Sequence, residues 1–386
     1  MTTSLPPLSL YIHTPWCIRK CPYCDFNSHQ MKPEELPEKE YLERLLYDLE
    51  QDQAWAYERP IQSIFIGGGT PSLLSSDFYK TLLSELRNFH ALANDIEITM
   101  EANPGAVEAS RFIGYHEAGI NRLSVGVQSF QNDKLTQLGR IHSSENAQSA
   151  INALKAAGFE NFNIDLMHGL PGQSLDDALF DLQTAIELGC THLSWYQLTI
   201  EPNTEFYSRP PQLPEEETLC DIIEAGQALI AKSGFQQYEV SAYSKPGYPS
   251  RHNLNYWQFG DYLAIGAGAH GKITQPDGQI FRYRKVRQPN HYLDTSRLST
   301  TAAIEPIEQE DIPLEFLMNT LRLTQGFPAE LFQAATGVPI ESIQPKIDQA
   351  VQEGLLEINT HSQQSIIGPT IKGRIYLNEL LERFLD

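Results

Sequence analysis

Leu8-Ser-Leu-Tyr-Ile-His13, followed after three residues by Cys17-Ile-Arg-Lys-Cys21-Pro-Tyr-Cys24, is where the fold is decided. The first run is short and largely apolar, and reads as a buried strand. It delivers three cysteines at the spacing C-x3-C-x2-C. Working outward, Ile61 to Ile66 reads as a second strand, ending in Gly67-Gly-Gly-Thr-Pro71. Further strands are predicted at Asp95 to Glu101, Asn121 to Val127, Asn161 to Asp165 and Leu193 to Leu198. Helical patterns lie between them, at 38–56, 75–91, 107–118, 143–157 and 174–188. Strands alternating with helices over about 190 residues predict parallel βαβ units, hence the α/β class. Six repeats are too few for a closed eight-stranded barrel and suit an open, curved one, a partial (β/α)6 barrel. Polar residues recur at the carboxyl ends of these strands, where parallel α/β folds place their chemistry.

Beyond the sixth strand the pattern loosens. Residues 207–214 are Pro-rich and read as a linker, and 215–233 as a helix. Residues 236–292, rich in Gly, Tyr and His, look less regular. From 311, helices at 311–324, 328–336 and 340–353 precede two short strands near 355–367 and a last helix near 373–385. This is an α+β, winged-helix-like unit, expected to serve packing or protein contact. Three parts are predicted: 1–205 with the cysteine loop, 206–305 as an extension of the barrel, and 306–386 as the small C-terminal domain.

The 386 residues carry 28 basic and 49 acidic side chains, a net charge of −21. Such a chain repels phosphate backbones and anionic lipid surfaces, which disfavours a nucleic-acid partner. No apolar run of about 18 residues predicts a transmembrane helix. The N-terminus lacks the basic and apolar segments of a signal peptide, so a cytoplasmic location is expected. The five cysteines are an odd number, which argues against a disulfide framework and for metal chemistry at the clustered three. Cys190 and Cys220 are expected to be buried structural thiols.

Thiolates are soft ligands for iron–sulfur clusters or zinc. Structural zinc wants four closed ligands, and no fourth stands near the loop. Phe26 lies two residues after Cys24; His13, His29 or a remote cysteine would have to complete a zinc site. A four-iron cluster on three cysteines instead leaves one iron open. Gly67–Pro71 is either a plain tight turn or a loop that lets a ligand approach the backbone. At later strand ends stand Glu101, Gln128, Arg140 and Asp165. Asp165 suits ribose hydroxyls and Arg140 a carboxylate. Equally, Arg140 could pair with a surface acid and Glu101 could cap a helix.

C-x3-C-x2-C at the end of a first strand resembles the signature of the radical S-adenosylmethionine (SAM) superfamily. The resemblance implies a 4Fe–4S cluster on Cys17, Cys21 and Cys24, with SAM chelated on the open iron through its amino and carboxylate groups. Reduction by one electron then yields a 5′-deoxyadenosyl radical. In order and spacing the chain is similar to the coproporphyrinogen dehydrogenase (HemN) branch, which implies SAM contacts from Tyr11, Gly68, Gly69, Thr70, Glu101, Gln128, Arg140 and Asp165, and from Tyr23 mainly through its backbone. The likeness covers nearly the whole chain, including Glu315-Phe-Leu-Met-Asn-Thr-Leu-Arg-Leu-Thr-Gln-Gly-Phe327.

That branch holds two functions, oxidative decarboxylation of coproporphyrinogen III to protoporphyrinogen IX and HemW-type heme chaperoning. Three features resemble the second. The dehydrogenases carry a fourth cysteine, C-x3-C-x2-C-x-C, where Phe26 stands here. They have a long extension before the cluster, whereas 16 residues precede Cys17. His252-Asn-Leu-Asn-Tyr-Trp257 matches the H-N-x-x-Y-W motif linked to heme, implying heme contacts from His252, Asn253, Tyr256 and Trp257. A neutral imidazole ligates heme iron and aromatic rings cover a porphyrin face. His252 is therefore the expected iron ligand, against the reading that it is an ordinary histidine beside aromatic core residues. His270, in Ile265-Gly-Ala-Gly-Ala-His-Gly271, is a second candidate.

The resemblance thus implies a heme chaperone with three cofactors: cluster, SAM and heme. Its partner would be a heme-accepting protein such as a membrane cytochrome, reached by peripheral membrane contact, and a homodimer is compatible with the branch. The alternative, oxygen-independent coproporphyrinogen III decarboxylation, must hold a tetra-anion. Its candidate arginines are Arg19, Arg122, Arg251, Arg282, Arg284 and Arg322. A tRNA-modifying radical enzyme would need a basic surface or an RNA-binding domain, and neither is visible.

Overall fold

Leu8, Leu10 and Ile12 are each at most 1% exposed, because the strand they form, β1 (Leu8–Thr14), lies inside a sheet and not at its edge. A computed structural model gives the fold of residues 5–105, 110–361 and 364–385. β1 is followed by β2 (Ile61–Gly68), β3 (Leu92–Ala102), β4 (Arg122–Gln128), β5 (Asn161–His168) and β6 (His192–Gln197). These six pair in parallel, in sequence order, as predicted. Most of them alternate apolar with more polar residues, as Ile96, Ile98 and Met100 do with Glu97, Thr99 and Glu101, and that period of two made them visible in the sequence.

Helices cross between the strands. Two of them start on capping boxes, Ser143 with Asn146 before Ser144–Ala156 and Ser174 with Asp177 before Leu175–Glu187. The predicted 38–56 helix is α-helical over Glu38–Asp52 and ends in a 3-10 turn. Of the predicted 107–118 helix, Phe112–Ala118 forms, while 107–109 lie outside the described residues.

The region that looked irregular, 236–292, holds five strands of the same sheet. Gln236–Glu239 (β7) and Ala242–Ser244 (β8) continue the sheet beyond β6 in antiparallel fashion. Asp261–Ile265 (β9) lies parallel to β1 on its other side, with Leu8 opposite Asp261 and Ile12 opposite Ile265. His270–Thr274 (β10), Ile280–Lys285 (β11) and Thr301–Pro306 (β12) then pair antiparallel outward. Among the described residues the order is β12-β11-β10-β9-β1-β2-β3-β4-β5-β6-β8-β7. The later strands are short, carry polar residues and are interrupted by glycine, so their period is weak.

Cys190 is buried as expected, but Cys220 is exposed. It sits on the helix Glu216–Lys232, whose buried face is Ile222, Gly226 and Ile230 at four-residue spacing, and position 220 points away from that face.

The C-terminal unit forms a second apolar core. Phe316 meets Phe259, Phe327 and Phe332 edge-on at 5.5, 5.0 and 5.3 Å between ring centroids. Phe259 precedes β9, so this core is seated against the large sheet. A small sheet, in the order Phe327–Pro328, Gln364–Pro369, Leu356–His361, completes the winged-helix-like arrangement. The predicted 311–324 and 373–385 helices are shorter than expected, at Ile312–Thr320 and as two turns, Ile371–Ile375 and Leu377–Glu382. Among the described residues no helix is long and apolar enough to cross a membrane.

Candidate functional site

The cysteine loop leaves β1 and is closed on itself by its backbone. Trp16–Cys17 pairs with His29–Gln30, and the amides of His29 and Met31 donate to Pro15 O and Cys17 O at 2.7 and 2.9 Å. A turn from Cys24 N to Cys21 O at 3.1 Å brings the second and third cysteines together. Thr70 Oγ1 donates to Cys17 Sγ at 3.4 Å and Arg140 Nη1 to Cys21 Sγ at 3.5 Å. Burial raises the thiol pKa of Cys17 and of Cys24. The three side chains line one cavity of about 540 Å³. Among the described residues no group of three or more His, Cys, Asp or Glu could hold a single metal ion. A four-iron cluster places its ligands on separate irons and does not need that convergence.

The opposite wall of this cavity is the glycine loop. Gly69 N donates to Thr14 O at 2.6 Å and Thr70 N to Trp16 O at 2.7 Å, which ties the loop to the entry of the cysteine segment. Gly68 has φ +107°, and a Cβ there would lie 2.6 Å from His13 Nδ1; one on Gly69 would lie 2.8 Å from Thr14 O. Both positions therefore need glycine. The loop is more than a tight turn, since Gly68 N also donates to Glu101 Oε2 at 3.0 Å.

Strands supply most of the remaining walls, but Arg140 does not stand at a strand end as expected: it lies in the connection between the helices Asn132–Gln137 and Ser144–Ala156. Arg140 Nη2 donates to Asn103 Oδ1 at 2.8 Å and Gly126 O at 2.7 Å, and Asn103 Nδ2 donates to Thr70 Oγ1 at 3.0 Å. Arg140 is thus an interior group, and among the described residues it has no surface acid as its partner. Gln128 holds φ +71° at a strand irregularity and accepts from Tyr196 OH at 2.8 Å. Such backbone costs about 1–3 kcal/mol for a residue other than glycine and concentrates at functional sites. Asp165 accepts from Asn163 Nδ2 at 2.7 Å and Ser124 Oγ at 3.1 Å. Burial raises the Asp165 pKa. Burial, reinforced by Asp165, pushes Glu101 up to about 8. Burial alone would lower the Arg140 pKa, but the Tyr23 hydroxyl and Cys21 thiol outweigh it and raise it.

Cys17, Cys21, Tyr23, Cys24, Gly68, Gly69, Thr70, Glu101, Gln128, Arg140 and Asp165 all face this one cavity. Tyr11 does not. It opens on a second cavity of about 770 Å³, with its hydroxyl 2.9 Å from His13 Nδ1. Phe26, Gly68 and Glu101 line both cavities, so the two adjoin. Asn103 and Tyr196 line the first and escaped the sequence reading. Asn103 stands in the quoted Glu-Ala-Asn-Pro-Gly turn and Tyr196 at the end of a predicted strand, so position was the available signal.

The H-N-x-x-Y-W segment forms the helix Arg251–Trp257, capped by Ser250. Helical spacing divides the motif. Asn253 and Trp257, four apart, face the cysteine cavity, and Tyr256 faces the second. His252 lines neither. It is 1% exposed, stacked on Phe65 at 5.2 Å and edge-on to Tyr256 at 4.7 Å. Its Nδ1 lies 3.1 Å from Ser63 Oγ, and its Nε2 has no hydrogen-bond partner among the described residues. Burial, with Arg122 nearby, pushes its pKa down to about 3, so the ring is neutral. His270 is exposed on the wall of the second cavity.

The arginines are dispersed. Arg19 lines the cysteine cavity and Arg284 the second. Arg122 is buried beside Glu97, Arg251 pairs with Asp95 at 2.8 Å, Arg282 pairs with Glu315, and Arg322 lies over Trp257 at 4.4 Å. The second cavity adds Tyr262 and Arg287, which lie in the stretch that seemed irregular and were not singled out.

A cysteine loop after the first strand of a parallel curved sheet, facing a glycine loop and strand-end polar groups, defines a class. The chain belongs to the radical SAM superfamily, in its HemN/HemW branch. Residues 11–184 match the Radical SAM superfamily and 307–363 the HemN C-terminal domain. The chain is 53% identical over 381 residues to heme chaperone HemW of Escherichia coli (strain K12), covering 99% of each. It is 34% identical over 389 residues to heme chaperone HemW of Bacillus subtilis (strain 168), covering 98% of this chain and 99% of that one. The solved structure of coproporphyrinogen III oxidase (HemN) from E. coli, a radical SAM enzyme, has the same fold at a TM-score of 0.81. It is 21% identical, with 98% of this chain and 90% of that one covered.

Membership of the superfamily implies a 4Fe–4S cluster and SAM. The residues fit such a pair. Three soft thiols share one cavity, and two buried donors on its wall, Arg140 Nε and Trp257 Nε1, have no protein partner among the described residues.

Proposed function

We propose that the protein is a heme chaperone: it binds heme beside a 4Fe–4S cluster and SAM, and passes the heme to an acceptor protein. The observation that carries this reading is Phe26. It stands where coproporphyrinogen dehydrogenases carry a fourth cysteine, is 58% exposed, and forms part of the wall between the two cavities. An exposed aromatic ring there favours an apolar, flat cargo and removes a thiol from the cluster side. The 53% identity to a protein named heme chaperone supports the same reading.

In this reading Cys17, Cys21 and Cys24 hold the cluster. When bound, the cluster supplies an open iron for SAM's amino and carboxylate groups and an electron for its cleavage. Arg140 pairs with the carboxylate of SAM and Asp165 accepts from its ribose. Glu101, Gly68, Gly69 and Thr70 face its amino end, while Gln128 and Tyr23 border the nucleoside. The helix Arg251–Trp257 separates SAM from heme: Asn253 and Trp257 face the first ligand and Tyr256 the second. The proposed division of the chain is 1–205 for the cluster and SAM, 206–305 for the heme-linked motif and 306–386 for contact with other proteins. The protein would act in the cytoplasm, with a membrane cytochrome as acceptor, approached at the membrane surface, and with a homodimer as its assembly.

The test is to reconstitute the cluster anaerobically and supply coproporphyrinogen III, SAM and a low-potential reductant. The expected result is no protoporphyrinogen, with hemin bound at about one per chain in a parallel titration. Catalytic formation of protoporphyrinogen would replace the chaperone with a decarboxylase.

A further inference from the structure

The second cavity has a polarity that its motif does not explain. One side is aromatic: Tyr256 meets Tyr262 edge-on at 4.4 Å, with Tyr11 beside them. The other side is basic and comes from the outer hairpin of the sheet. His270 on β10 stands directly opposite Arg284 on β11, and Arg287 follows two residues after that strand ends. Lys285 also borders the cavity, but its ammonium is already paired with Asp48 and Asp52 at 2.6 and 2.8 Å. Arg284 and Arg287 are not consumed in this way. Arg284 reaches Glu305 only at 3.6 Å, in an exposed pair, which contributes little. Arg287 donates from Nε to Asn27 Oδ1 at 3.1 Å, and Asn27 Nδ2 returns a bond to Arg287 O at 3.1 Å. That anchors the side chain at Nε beside Phe26, while its terminal nitrogens make no hydrogen bond among the described residues and the residue lines the cavity. His270 makes no hydrogen bond through its ring among the described residues. In a chain of net charge −21, two guanidinium groups with spare donors beside an unpartnered imidazole and an aromatic wall form a local exception.

We propose that this cavity is the heme seat, that Arg284 and Arg287 bind the two propionates, and that His270, not the buried His252, is the protein ligand to the heme iron. The proposal deepens the chaperone reading and rests on it. A propionate-bearing macrocycle needs two cationic groups on one side and flat apolar cover on the other, and the cavity, about 770 Å³, lies within the range of pockets that enclose such ligands. His252 acts through packing: its neutral ring, stacked on Phe65 and edge-on to Tyr256, sets the position of Tyr256 on the cavity wall. An exposed ligand on an outer hairpin also suits a protein that must give its cargo up.

The experiment is an anaerobic hemin titration of the full chain with the cluster in place, read by the Soret band and by electron paramagnetic resonance. The variants are His270→Ala, His252→Gln, and the pair Arg284→Gln with Arg287→Gln, each checked for folding by circular dichroism. The expected result is that His270→Ala shifts the Soret band, changes the iron signal and weakens hemin by about tenfold or more. His252→Gln should keep the parent's iron signal. The arginine pair should weaken hemin about tenfold while leaving the affinity for the dimethyl ester of iron protoporphyrin IX within threefold of the parent. If His270→Ala keeps the parent spectrum, or if hemin and its dimethyl ester bind the parent equally, the seat is wrongly assigned although the chaperone reading stands. If the parent, folded and with its cluster intact, binds no hemin, the chaperone reading itself falls and takes the seat with it.

Discussion

The two cavities meet at Phe26, Gly68 and Glu101 but are built differently. The cysteine cavity is assembled from consecutive parallel strands, each ending in a polar residue that a neighbouring backbone or side chain holds. Its groups are bonded to one another before any ligand arrives: Gly68 to Glu101, Thr70 to Asn103, Asn103 to Arg140, and Asn163 to Asp165. The second cavity is closed by an antiparallel hairpin and a two-turn helix, and apart from the buried, paired Lys285 its basic groups, Arg284, Arg287 and His270, are exposed and loosely tied. Preorganisation suits a ligand that is held for chemistry, and loose exposed groups suit one that is carried and released. Removing parts of each cavity separates the two.

The largest expected effect is on the first cavity alone. Cys21→Ala should abolish the reconstituted 4Fe–4S absorbance and drop iron well below about four per chain, while hemin affinity changes less than threefold. A matching loss of hemin binding would mean that the cavities are one site. Gly69→Ala comes next, because the added Cβ would meet the Thr14 carbonyl at 2.8 Å at the hinge of the cysteine loop. Backbone there cannot yield cheaply, so a fall of about 3 kcal/mol or more in unfolding free energy is expected from denaturant titration. An unchanged midpoint would show that the loop is softer than its hydrogen bonds imply.

Arg140→Ala should weaken SAM by about tenfold to a hundredfold in equilibrium dialysis, since it deletes a charge-assisted contact and strands Asn103. Arg140→Lys should recover only part of this, because a compact ammonium lacks the planar fork that reaches Gly126 O and Asn103 on one side and a carboxylate on the other. Glu101 gives a smaller, pH-dependent effect. Its folded pKa of about 8, against 4.5 in water, means that the carboxyl is mostly protonated at pH 7. Stability linked to Glu101 is therefore present below pH 4.5 and declines as pH rises through about 8. An amino group bound to iron donates through its N–H groups, which the ionised carboxylate accepts best, so SAM affinity should fall about tenfold per pH unit below 8 and level off above it. Glu101→Gln should flatten that profile in calorimetry. The smallest effect is Cys220→Ser, whose exposed thiol should be replaceable with a stability change under about 0.5 kcal/mol.

The same contrast accounts for what the sequence made legible. Parallel strands such as β1, where buried Leu8, Leu10 and Ile12 alternate with Ser9, Tyr11 and His13, write a period of two, and each such run points to the residues at its end. Glu101, Gln128 and Asp165 could therefore be placed from the sequence, whereas Arg140 lies between the helices Asn132–Gln137 and Ser144–Ala156, where no strand points to it. The hairpin carries Arg282, Tyr283 and Arg284 in a row with weak alternation, so neither its register opposite His270 nor the cavity beneath it could be read. His252 shows the limit of a motif. The pattern singled out the segment, but only helical phase decides that Asn253 and Trp257 face one cavity, Tyr256 the other, and His252 neither. Cys220 failed for the same reason, since an apolar neighbourhood in sequence is not the buried face of a helix.

The central claim is that heme is handed over, not merely bound. The most direct measurement is to load the protein with hemin, mix it with increasing concentrations of a heme-depleted b-type cytochrome, and follow transfer by the Soret bands. The account predicts a rate that climbs with acceptor concentration, because transfer occurs within an encounter of the two proteins. A rate independent of acceptor and equal to the release of hemin to a passive scavenger would contradict it.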